Sequence, residues 1–151
     1  MSTLIPGTSL LQLAYGTKVS KAAAALPQST TGTLFTVSGG RILLTSIVGE
    51  VVTAIQNQAN NTKLVSTPTT GTAVDMCAVL DIANDEIGCL YTISGLPPDA
   101  LYGPNAGLGQ VQHRAQVIPI GTIKLSCAAS NTGTVKWVMT YIPLDTGASV
   151  A

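Results

Sequence analysis

Charge is what this sequence most lacks. Only 9% of its residues are Asp, Glu, Lys or Arg, against roughly a quarter in an ordinary soluble domain, while 46% are apolar. Seven acids balance seven bases, so the net self-repulsion that keeps proteins apart in solution is missing too. The bases are scattered from Lys18 to Lys136, without the clustering that neutralising phosphates requires, which argues against nucleic acid as a partner. No apolar run approaches the roughly 18 residues of a membrane-spanning helix, and no membrane partner is expected. The N-terminus, MSTLIPGTSLLQLAYG, has neither the basic start nor the uninterrupted apolar core of a signal peptide. A soluble, unsecreted protein is expected.

Reactive groups are equally sparse. Cys77, Cys89 and Cys127 form no CxxC pair and read as buried free thiols in a reducing compartment, with a Cys77–Cys89 disulfide across a hairpin as the alternative. His113, the lone histidine, has no Cys near it in sequence. Beside Arg114 it could act as a general base, but no Gly-x-Ser-x-Gly or similar nucleophile motif accompanies it. The acids cluster only at Asp81 to Glu86, whose spacing does not match a calcium loop and reads as a solvated turn. Gly107 and Gly109 lack the further glycine, lysine and helix of a phosphate cradle. Trp137 and Tyr141 could stack a sugar, yet their same-face spacing on a strand fits core packing better. Asn60-Asn61-Thr62 matches a glycosylation sequon and reads as a turn that does so by chance. No catalytic residue, metal, cofactor or small-molecule substrate is expected.

What is present is apolar patterning filled in with Gly, Thr, Ser, Asn and Gln. Such residues hydrogen-bond without the desolvation cost of a charge, which suits a surface meant to be covered by other chains. Residues 1–33 read as an extended arm anchored by Leu4, Ile5, Leu10, Leu11 and Leu13, although Ala22 to Leu26 could close a short helix before Pro27. Residues 34–144 read as one all-β domain. Arg41 to Thr53 predicts a long strand bent at a bulge on Gly49. Val74 to Ile82 and Ile87 to Ile93 predict a hairpin turning at Asn84-Asp85, and Thr122 to Cys127 with Thr134 to Ile142 predict a second one. Gln110 to Pro119 reads as a strand that carries His113. About eight strands and no long amphipathic helix give a β-sandwich or barrel, compatible with jelly-roll connectivity. Residues 97–109, with three prolines and three glycines, read as a long loop of the kind that partners order. Residues 145–151 read as an exposed tail.

Two segments carry a resemblance. Gly133-Thr134-Val135-Lys136-Trp137-Val138-Met139-Thr140-Tyr141-Ile142-Pro143-Leu144-Asp145-Thr146-Gly147-Ala148, together with the run from Gly39 through Arg41 and Gly49 to Val51, is similar to small virion structural proteins of tailed bacteriophages. It resembles in particular the head decoration (capsid cement) proteins of actinobacteriophages. The similarity spans residues 30 to 148 and leaves the N-terminal arm outside it. It implies a protein made in the host cytoplasm that binds the exterior of an icosahedral capsid, cements the major capsid protein and associates with itself as a homotrimer. Such proteins carry no catalytic residues, so contacts are expected in the arm and in the long loop, at Leu4, Ile5, Leu10, Leu11, Leu13, Leu101, Tyr102 and Leu108. A tail or baseplate protein would use the same chemistry. A carbohydrate- or receptor-binding sandwich would instead expose Trp137 or Tyr102.

Overall fold

The computed structural model describes residues 6–151, so Leu4 and Ile5 lie outside the described residues. A helix, α1 (Gly7–Tyr15), leads into eleven strands: β1 (Thr17–Ala25), β2 (Thr31–Ser38), β3 (Ile42–Thr53), β4 (Asn61–Pro68), β5 (Val74–Asp75), β6 (Leu80–Asp81), β7 (Leu90–Thr92), β8 (Gln116–Ile118), β9 (Gly121–Cys127), β10 (Thr134–Pro143) and β11 (Ser149–Val150). They form two antiparallel sheets packed face to face as a β-sandwich. One sheet runs β1-β10-β3-β7, with β8 further along the same edge of β3 as β7. The other runs β11-β2-β9-β4-β5, with β6 also on β4. The all-β reading of the sequence is met, and of the two closed forms it is the sandwich.

The strand alternation sets the core. Val135, Trp137, Met139 and Tyr141 of β10 point inward, as the two-residue period predicts. They meet Phe35, Val37, Ile123, Leu125 and Leu64 from the other sheet in one cluster. In β3 the buried phase is even at Ile42 and Leu44 and odd at Ile47, Gly49 and Val51. The switch falls where the pairing with β10 skips Thr45, between Ser46↔Thr140 and Leu44↔Tyr141. One extra residue moves every later side chain to the opposite face, so a bulge at Thr45 keeps both halves of the strand on the core. Thr45 Oγ1 fastens it by donating to the Thr140 carbonyl at 2.9 Å.

Several expectations need correction. The bulges of β3 lie at Thr45 and Val52, and Gly49 sits in regular register between Trp137 and Tyr91. Neither predicted hairpin forms. β9 pairs with β2 and β4 while β10 pairs with β1 and β3, so residues 128–133 cross from one sheet to the other. Residues 74–82 hold the short strands β5 and β6 of one sheet, and β7 belongs to the other. The chain changes sheets at each step from β1 to β4 and from β8 to β11. The arm is shorter than 33 residues, since β1 is an integral edge strand and β2 begins at Thr31. Residues 7–15 are helical, and Ala22 to Ala25 are strand. The segment from residue 145 is docked and not a free tail: β11 pairs with β2, Ala148 is buried, and Asp145 grips Arg41 through both guanidinium and backbone N–H groups at 2.7–2.9 Å. Of Gln110 to Pro119, only Gln116–Ile118 is strand.

Candidate functional site

The expected contact residues separate into three groups. Leu10 and Leu13 of α1 are 52% and 72% exposed, and Leu108 is 61% exposed; the side chain of Leu11 lies outside what the structure describes. Tyr102 is half-buried, its backbone bridged to Thr92. Leu101 is a correction. It is buried in the core, with its N–H donating to the Ala78 carbonyl, because the bridges of Ala100 to Ala78 and of Tyr102 to Thr92 draw this part of the loop onto the sandwich. A partner cannot reach it without unfolding the loop.

Other exposed apolar side chains escaped the sequence reading. Val74, Val79, Ile87, Val111, Val117 and Ile120 stand in solvent, although short β segments had suggested paired strands. Val74 and Val117 face a cleft of about 500 Å³. It opens at one side of the sandwich, where β5 of one sheet and β8 of the other leave a gap, and Met76, Pro97, Gln116 and Ile118 complete its main walls. Gln116 ties the sheets together there. Its Nε2 donates to the carbonyls of Met76 and Gly95, both at 3.2 Å, while its Oε1 is buried with no hydrogen-bond partner. The carboxylate of Asp75, also on the cleft, is held by Lys63 at 2.6 Å. The run Val117-Ile118-Pro119-Ile120 was the available signal, since a short apolar strand ended by proline belongs at a sheet edge.

β1 is the open edge of its sheet. It carries exposed Lys18 and Lys21 and a register break between Lys21 and Ala24. Lysines and bulges are the means by which edges resist pairing with another chain. Strand addition at β1 is therefore disfavoured, and side-chain contact is the better route for association.

Most of the groups that the sequence singles out for chemistry hold the fold together. His113 is exposed on a bend, not on a strand, and its backbone N–H and that of Arg114 both donate to the Ser94 carbonyl. Ser94 Oγ donates to Asp99 at 2.6 Å and accepts from the Leu96 N–H, so it braces a turn. Asp85 accepts from Tyr91 Oη at 2.5 Å. Burial raises its carboxyl above the usual range, the tyrosine bond opposes that, and Asp81 adds to it. Burial, with Asp85 alongside, holds the Tyr91 phenol far above its ordinary value. Asp81 accepts from the N–H groups of Asn60 and Ala83. Among the described residues, no three His, Cys, Asp or Glu side chains converge as a metal would need. No helix follows Gly107 and Gly109.

The remaining polar signals are structural. Asn60 is fully buried and exchanges hydrogen bonds with the backbone of Ala129, so the sequon nitrogen is used inside the fold and leaves no room for a glycan. Cys77, Cys89 and Cys127 are all free and buried. Desolvation pushes the first two thiols up to about 11 and also raises the third. Trp137 is 3% exposed and stacks near Tyr91, ring centres 6.4 Å apart, which removes it from any sugar platform. No described helix is long and apolar enough to cross a membrane. No family model, curated protein or solved structure matches the chain.

Proposed function

We propose that this chain is a non-enzymatic structural protein of a tailed-phage virion, which binds the capsid exterior as a homotrimer and stabilises the shell by cementing the major capsid protein. The observation that carries this reading is the balance of the surface. Thirteen large apolar side chains are exposed among the described residues, on a chain with only seven acids and seven bases. Three of them, Leu10, Leu13 and Tyr15, stand on a helix, and Val74 and Val117 line the cleft. An isolated protein gains nothing from such a surface. A shell component does, because apolar burial contributes about 25 cal/mol per Å² and uncharged neighbours add no desolvation cost of ions.

The resemblance of residues 30–148 to head decoration proteins supplies the address. Burial of Trp137 favours this reading over a sugar-binding module, which would need its aromatic platform in solvent. The test is co-sedimentation of the purified protein with undecorated icosahedral heads. Saturable binding that raises the temperature of head disruption is expected; a protein left wholly in the supernatant would refute the proposal.

A further inference from the structure

Among the described residues, the cleft between β5 and β8 and the helix α1 are two apolar features that the single chain leaves uncovered. We propose that they belong together across copies: the α1 segment of one molecule docks in the β5/β8 cleft of the next.

Charge is the first argument. No Asp, Glu, Lys, Arg or His occurs from Met1 to Thr17, a stretch that includes α1 and the five residues before its preceding proline. The cleft is likewise without a free charge, since the one carboxylate on its wall, Asp75, is paired with Lys63. An occupant carrying charge would lose its hydration there with no partner, a penalty that an uncharged apolar segment does not incur.

The second argument is shape and spacing. Leu10 and Leu13 are an i, i+3 pair, the arrangement by which a helix lays anchors into a groove, and both are more than half exposed. Placement is the third. α1 joins β1, at one edge of its sheet, and β8 lies at the opposite edge, beyond β10 and β3. In the folded chain the two features do not meet, and joining them between molecules makes a head-to-tail contact. Such heterologous contacts close into rings when the rotation permits, and the proposed trimer is such a ring. The inference concerns how copies join and does not depend on capsid binding.

Sedimentation velocity of the full chain tests it with complementing variants. The double substitution Leu10→Asp with Leu13→Asp spoils the helix and keeps the cleft; Val117→Asp spoils the cleft and keeps the helix. The wild type is expected to run as a closed oligomer and each variant as a monomer. An equimolar mixture should run as a dimer, because one good helix meets one good cleft. Should Val117→Asp fail to fold by circular dichroism, the exposed Val74→Asp on the facing wall takes its place. A monomeric wild type, a variant that assembles like the wild type, or a mixture that stays monomeric would overturn the inference. Capsid binding by a monomer would overturn it together with the homotrimer, and leave only the capsid-binding role of the proposed function standing, while self-assembly without capsid binding would leave the inference standing and refute that role.

Discussion

Gly49 lies opposite Trp137 on one side and Tyr91 on the other, and a Cβ there would come within 2.8 Å of the indole ring. Its role is to let an aromatic side chain lie against backbone, a close approach that glycine alone permits. Gly49→Ala should therefore lower stability by about 1–3 kcal/mol through overpacking, read as a lower urea midpoint with an unchanged slope. A glycine inside a β-branched run is visible in the sequence, but whether it marks a bulge or a ring overhead depends on its cross-strand neighbour. The real bulges, at Thr45 and Val52, have ordinary strand residues and no compositional sign. The thiols were more legible, because cysteine is among the most often buried residues. With Cys77 and Cys89 raised to about 11 and all three buried, a disulfide-exchange reagent at pH 8 should leave the folded protein unmodified. Three equivalents should react after denaturation. Rapid reaction of the native protein would contradict the burial described.

At the scale of elements, alternation revealed faces but not partners. Val135 to Tyr141 were correctly read as an inward row, since a period of two is a local property. The choice between returning beside the previous strand and crossing to the other sheet rests on distant groups. Asn131 is one of them: buried in the crossing between β9 and β10, it donates to the carbonyls of Gln56 and Gln58 at 3.2 and 2.6 Å. Its replacement by Ala leaves the Gln58 carbonyl unpaired, while that of Gln56 keeps the N–H groups of Gln58 and Asn84, and should cost about 1–3 kcal/mol in chemical denaturation. The docked C-terminus was hidden for the same reason, since Asp145 finds Arg41 across most of the chain. The Arg41 guanidinium, then its backbone N–H, holds the Asp145 carboxyl well below the usual range. A depressed folded value means that the contribution is present above the unfolded carboxyl's pKa of about 3.9 and is lost as pH falls through the folded value. At pH 7, Asp145→Asn should reduce hydrogen-exchange protection at Thr36 and Ala151, whose amides pair with each other's carbonyls beside β11. The wild type should lose that protection only in strong acid. Equal protection in both proteins at pH 7 would show that β11 holds without the clamp.

For the whole molecule, scarcity of charge pointed to covered surface, and the structure shows where exposed apolar side chains lie. Leu10 and Leu13 on α1 and Leu108 on the long loop are exposed where the sequence suggested, while the cleft at Val74 and Val117 was not foreseen because its walls come from different sheets. Leu101 went the other way, into the core. The lysines and bulge of β1 favour apolar side chains over strand addition as the means by which the proposed copies would associate. The measurement that bears most directly on the central claim is the number of copies of this chain in purified virions, obtained by quantitative mass spectrometry against the major capsid protein. A cement protein bound across the shell should be present in the hundreds, at a fixed ratio to capsid subunits. A few copies per particle, or none, would contradict it.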